Sequence, residues 1–177
     1  MGFLAALPHA AVLDLGGASQ GSIDHLAGPG RRLYTEDALR SLAEAVEAGR
    51  SVDAYLTTNI AYPSATFDAI LCWDIFGSAP PPFRVSLAAR LHDLLRPAGR
   101  ALAFLPASIA AARRPPGRFE IVGAGLLRRR EVASLFAESH LLSRRDIDKL
   151  FQSGFEITDF FTAEAFHELL LVRRTRA

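Results

Sequence analysis

The sequence lacks the residues that tie small folds together by covalent or metal links. Its 177 residues hold one cysteine, Cys72, so no intrachain disulfide can form. Set in the apolar stretch FDAILCW, that cysteine reads as a small buried hydrophobe, and the lack of disulfides fits a reducing cytoplasm. Five scattered histidines beside a single cysteine have no zinc-site spacing, which argues against a metal centre. No apolar run reaches the roughly 18–20 residues that a bilayer span requires. The apolar start, MGFLAALPHAAVLDLG, has no Lys or Arg ahead of it and runs into the first expected strand, a poor pattern for a signal peptide. Lysine is almost missing too: of 20 basic residues only Lys149 is a lysine.

Charge of one sign is not in excess, with 20 basic against 19 acidic residues, but the distribution is uneven. Residues 1–106 carry 8 basic and 10 acidic groups, residues 107–177 carry 12 and 9. The basic clusters are Arg113–Arg114, Arg128–Arg130, Arg144–Arg145 and Arg173–Arg174. No aromatic residues interleave them as a stacking platform would require, so they read as solvated surface, and nucleic acid is not favoured as a partner.

What is present is alternation. AVLDL is a short apolar run closed by Gly16, as a buried parallel strand would be. A helix is expected over Ser22–Ala27 with Ser22 as its cap, then a strand in RRLYTE. Leu39, Leu42, Ala43 and Val46 recur at helical spacing up to Gly49. SVDAYLTT reads as a third strand and TFDAILCWDIF as a fourth. Leu87, Ala88, Leu91, Leu94 and Leu95 mark a helical face, RPAG stops it, and RALAFLP supplies a fifth strand. Such βαβ alternation implies a parallel sheet with helices on both faces. Residues 107–142 read as a lid or insertion carrying a small hairpin. Ser143 three residues before Asp146 opens a helix with a capping box, and FEITDFF and HELLLVRR close as an antiparallel pair.

The first turn, Gly16-Gly17-Ala18-Ser19-Gln20-Gly21, is where chemistry is expected, because parallel sheets bind ligands outside the carboxyl ends of their strands. A triphosphate loop would need a lysine after Gly21, and Ser22-Ile23 stands there. The dinucleotide fingerprint is matched except for Ala18, at the glycine that admits a pyrophosphate, so a small dinucleotide-binding protein is one reading. S-adenosylmethionine has no phosphates and depends less on such a nest. It needs room for its methionine part, an acid for its ribose and a slot for its adenine. Glu36 lies 22 residues after Asp14 at the end of the second strand, where an acid can accept both ribose hydroxyls.

From about Ala10 to Arg174 the chain resembles a class I, Rossmann-like S-adenosylmethionine-dependent methyltransferase. VLDLGGASQG is similar to that family's first motif, YTED to the end of its second strand, FDAILCWDIF to its fourth strand with an acidic exit, and LHDLLRPAGRALAF to its helix, turn and fifth strand. The resemblance implies one domain over residues 1–177. Its fold would be a three-layer α/β/α sandwich with a mostly parallel seven-stranded sheet and an antiparallel C-terminal strand. It also implies a cofactor, S-adenosylmethionine, and a small-molecule acceptor. By position Asp14, Gly16 and Gly17 would border the methionine part. Glu36, with Asp37 as its neighbour, would take the ribose. Asn59 and Ile60 would flank the adenine, and Trp73 and Asp74 would sit near the transferred methyl. Asp74 is the only acid nominated as a catalytic base; His140 and His167 could also approach, at places the sequence does not fix. Ala18 and Gln20 stand where the family usually has glycine, which bears on cofactor affinity. They support an alternative, a non-catalytic relative serving as a binding or assembly protein. There is no Asn-Pro-Pro-Tyr-like stretch at the fourth-strand exit, where relatives that methylate base amines often carry one.

Overall fold

The computed structural model describes residues 9–115, 117–123, 125–131, 139–163 and 165–175. The chain runs from β1 (Ala11–Asp14) through α1 (Gln20–Leu26) to β2 (Arg32–Thr35), then through α2 (Ala38–Glu47) and α3 (Val52–Asn59) to β3 (Phe67–Trp73). Helices α4 (Ile75–Ser78) and α5 (Pro81–Leu94) lead into β4 (Leu95–Pro106). After α6 (Ile109–Ala112) come β5 (Gly117–Gly123), β6 (Leu126–Glu131), α7 (Arg144–Phe151), β7 (Phe155–Ala163) and β8 (Phe166–Arg173). Six strands form one sheet in the order β2-β1-β3-β4-β8-β7, and β5 and β6 form a separate hairpin. β1 to β4 are mutually parallel, whereas β8 runs antiparallel between β4 and β7. This is the Rossmann-like α/β architecture expected, with six strands in the sheet rather than seven.

The missing strand is SVDAYLTT, which folds as α3. Ser51 caps it, its hydroxyl oxygen accepting from Ala54 N at 3.2 Å, and Asp53 sits in the first turn, where a negative charge favours the helix dipole. Tyr55 and Leu56 then face inward together, and Tyr55 packs edge-on against Phe83 of α5 at 5.7 Å. A strand would have put those two neighbours on opposite faces. The first helix is also capped differently: Ser19, not Ser22, is the cap, its hydroxyl oxygen accepting from Ser22 N at 3.1 Å. Ser22 itself is buried in the helix.

Alternation along the strands sorts the side chains into two cores. Phe67, Ile70 and Cys72 of β3 and Ala101, Ala103 and Leu105 of β4 face α2, α3, α5 and α7. Burial in that core pushes the Cys72 thiol above its ordinary range, so it stays protonated. Ala69, Leu71 and Trp73 of β3 and Leu102 and Phe104 of β4 face the other way, onto Leu26 of α1 and Phe119 and Ile121 of the hairpin. On this second face the hairpin covers sheet that a helix would cover in a regular sandwich. No helix among the described residues is long and apolar enough to cross a membrane.

Candidate functional site at the carboxyl ends of β1, β2 and β3

The crossover from β2 over β1 to β3 makes the gap between β1 and β3 the switch point of the sheet, where open α/β sheets bind ligands. Asp14 ends β1 there and is fully buried. Its Oδ1 accepts from Gly16 N at 2.8 Å and from Trp73 Nε1 at 2.6 Å. Its Oδ2 has no hydrogen-bond partner among the described residues. Burial pushes the carboxyl up to about 6; the bonds from Trp73 and Gly16 and the charge of Arg118 pull the other way without cancelling it. Across the gap Asp74 follows β3 and is 2% exposed. Its Oδ2 accepts from Gly117 N at 3.3 Å and its Oδ1 accepts from no described residue. Burial raises it, too, to about 6, against the Gly117 bond and the charge of Arg129.

Trp73 joins the two acids. Its φ is +50°, a left-handed conformation that costs a bulky residue about 1–2 kcal/mol. Two contacts offset that strain. The indole donates to a buried carboxylate, a bond worth about 1.5–3 kcal/mol, and it stacks on Phe119 at 5.5 Å and 7°, which adds about 0.5–1.5 kcal/mol. Strained residues held by their surroundings concentrate at functional sites. In this pose the indole covers the first glycine: a Cβ on Gly16 would stand 2.6 Å from Trp73 Nε1. Gly17, at φ +80°, needs the left-handed freedom of glycine, and a Cβ there would lie 3.2 Å from Arg118 Nη2.

Glu36 follows β2 as expected. Its Oε1 accepts from the Tyr62 hydroxyl at 2.5 Å, while its backbone carbonyl accepts from Gly17 N at 3.0 Å. Burial and the neighbouring Glu36 carboxylate raise the Tyr62 hydroxyl above its ordinary range. Asp37 occupies the N-cap position of α2 but makes no side-chain cap bond. Its carboxylate is bound instead to Arg118 of the hairpin and lies 3.5 Å from Arg40. Asn59 ends α3 rather than a strand, with its Oδ1 buried and unpartnered among the described residues. Ile60 is sealed in the helical core, its carbonyl taking Arg90 Nη2 at 2.7 Å. The structure therefore gathers Asp14, Gly16, Gly17, Glu36, Asp37, Trp73 and Asp74 and leaves the Ile60 side chain out. Reading the adenine slot at residues 59–60 presumed a strand before them, and a helix stands there.

Four residues at the site carried no sequence signal for it: Tyr62, Gly117, Arg118 and Phe119. The GRFEIV and LLRRRE runs around a glycine turn do predict a hairpin, but nothing local says where it docks. His140 is exposed and uses its backbone N–H on the Gly77 carbonyl. His167 lies on β8, bonded to Thr162 Oγ1 at 2.8 Å and packed on Phe160. Burial and Arg144 hold its imidazole below the usual range. The basic clusters are largely engaged: Arg128 and Arg130 lie within 3.6 Å of Glu120, and Arg144 pairs with Asp148.

Solved structures share this fold. A 1,6-didemethyltoxoflavin-N1-methyltransferase from Burkholderia thailandensis, with 1,6-didemethyltoxoflavin and S-adenosylhomocysteine bound, aligns with a TM-score of 0.63 at 18% identity over 97% of this chain and 73% of its own. An S-adenosylmethionine-dependent methyltransferase from Mesorhizobium loti aligns at 0.58 and 17% identity, over 97% and 96% of the two chains. One from Methanosarcina mazei aligns at 0.56 and 13%, over 93% and 92%. The fold is that of the S-adenosylmethionine-dependent methyltransferases. No protein-family model matches the sequence, and no curated protein matches it. At such identities the likeness is one of fold.

Proposed function

We propose that this chain is an S-adenosylmethionine-dependent methyltransferase acting on a small-molecule acceptor, with its cofactor across the ends of β1, β2 and β3. The observation that carries the reading is the pair Asp14 and Asp74. Each is buried, raised to about 6, and left with one carboxylate oxygen unpartnered among the described residues, at the two strand ends flanking the switch point. Buried acids in that condition are uncommon outside functional sites. The donor set suits the group: Glu36 for the ribose hydroxyls, Asp14 with the Gly16 and Gly17 backbone for the methionine part. When bound, the cofactor supplies an activated methyl for displacement. The chain then has to align the acceptor and, where the acceptor must lose a proton, take it at Asp74 Oδ1, which is ionised above its raised pKa. A small-molecule acceptor is favoured by the likeness to the Burkholderia protein and by WDIF at the exit of β3. For Gly16 to meet a ligand the Trp73 indole must swing aside, and Arg118 must release Asp37 before the hairpin can lift; β5–β6 is the cover of the site.

The same contacts favour a second reading, a non-catalytic relative that keeps the fold for binding or assembly, because Trp73 and Arg118 occupy the approach to both glycines. Calorimetric titration with S-adenosylmethionine and S-adenosylhomocysteine, with NAD as control, separates the readings. Micromolar binding of both, at least tenfold weaker in Glu36→Ala, is the expected result, because hydrogen bonds to a charged group are worth about 1.5–3 kcal/mol. Absence of heat at millimolar ligand selects the second reading. Binding of NAD alone restores the dinucleotide one.

A further inference from the structure

In the helical layer, sharing no residue with the site above, α5 and α7 flank an open cavity of about 410 Å³. Both helices precede strands that run the same way as β1, so their N-terminal turns lie at the same end of the sheet. Pro81, Val85, Leu142 and Leu150 give the cavity apolar walls, and Arg84, Asp146 and Lys149 give it charge. The charges are not equivalent. Asp146 is committed to the start of α7, where its Oδ2 accepts from both the N–H and the hydroxyl of Ser143, at 3.2 and 2.6 Å. Arg84 is 7% exposed and donates through Nε alone, to the Ala79 carbonyl at 2.9 Å. Its Nη2 is buried without an acceptor, and no carboxylate among the described residues pairs with it. A guanidinium buried with most of its donors idle is costly unless an anion completes it.

We propose that this cavity is a binding site for a small organic carboxylate with an apolar body, its carboxylate on Arg84 and its body against Pro81, Val85, Leu142 and Leu150. Beyond its Nε bond Arg84 offers the cavity a charged N–H donor, and hydrogen bonds from a guanidinium to a carboxylate are among the strong ones. Lys149 adds a second positive charge to the wall. With Asp146 the lining carries a net single positive charge, matched to a monoanion. The volume falls within the range of small-molecule sites and exceeds what an inorganic ion needs. The apolar walls set the site apart from a surface anion patch. This inference is independent of methyl transfer and stands or falls separately from it.

Titration of the full chain with octanoate and phenylacetate, followed by ligand-detected NMR, tests it, with octanol, 2-phenylethanol and inorganic phosphate as controls. The carboxylates are expected to bind with a Kd below about 1 mM, and the alcohols at least tenfold more weakly. Arg84→Met keeps an unbranched apolar stem in place and is expected to lower carboxylate affinity about tenfold or more. Val85 is 66% exposed at the mouth, so Val85→Glu is a fold-neutral second variant that repels an anion and lowers affinity in the same way. Equal binding of alcohol and carboxylate overturns the role of Arg84, and equal binding of phosphate overturns the role of the apolar walls. Absence of carboxylate binding, or affinity unchanged in both variants, overturns the site.

Discussion

Replacing Asp14 by Asn removes one buried charge and leaves its shape. In the native protein Asp14 binds its proton until about pH 6, whereas in the unfolded chain it releases it near 3.8. Between those values the folded state holds more protons than the unfolded one, so stability falls as pH rises. A shift of about two units is worth roughly 3 kcal/mol, and Asp74, raised to the same value, contributes a second loss of that order over the same window. In a chain of this length each kcal/mol moves Tm by about 2–4 °C. Wild type should therefore lose on the order of 12–24 °C between pH 4 and 7 from the two acids together, other groups aside. Asp14→Asn should lose about half as much. At pH 7.5 the variant should also be the more stable protein, though by less than the full 3 kcal/mol. Its amide nitrogen takes the place of the unpartnered Oδ2, and an unmet donor there costs about 1–3 kcal/mol; the net gain is at most about 2 kcal/mol. Thermal melts by circular dichroism at half-unit steps from pH 4 to 8 read both quantities. His167, whose lowered pKa makes stability fall as pH drops below the ordinary histidine value, acts in the opposite sense. It is common to both proteins and cancels in the difference. Parallel profiles for the variant and wild type, or a wild-type Tm that rises relative to the variant's from pH 4 to 6, would refute the reasoning.

Two further substitutions probe the cover. Gly16→Ala drives a methyl to within 2.6 Å of the Trp73 indole and should cost about 1–3 kcal/mol. Because Trp73 is the only tryptophan, its emission should shift to the red, and an unaltered spectrum and Tm would mean the indole does not rest on Gly16. Arg118→Ala breaks a partly exposed ion pair with Asp37, worth less than about 1 kcal/mol. It should speed association of S-adenosylhomocysteine in stopped-flow fluorescence, and an unchanged or slower rate would remove the hairpin from the binding step.

Local chemistry made much of this fold legible. The apolar run of β3 is long enough to declare a fully buried strand, and the Ser143–Asp146 spacing announced α7, where both halves of the capping box are present. SVDAYLTT misled because valine, tyrosine and two threonines favour strands, yet Ser51 with Asp53 is a helix start. The choice was made by packing, since only a helix turns Tyr55 and Leu56 together onto α5. At the site, Asp14, Glu36 and the two glycines could be read because each is fixed by its position at a strand end. The Trp73–Phe119 stack and the Arg118–Asp37 pair could not. They join residues 46 and 81 positions apart, through a segment whose only local signal is that it turns back on itself.

The strand order also dictates a timetable. β8 is synthesised after β7 yet lies between β7 and β4, with Arg100 opposite Val172 and Phe155 opposite Arg173. As the chain leaves the ribosome, β1 to β4 can pair in turn, each next to a strand already made. β7 emerges before β8, the strand it pairs with. It must wait for Phe166–Arg173 while the apolar edge of β4 stays open. Interrupting translation in that interval should yield a species prone to edge-to-edge association. The step that ends this exposure is the arrival of β8, which closes both gaps at once.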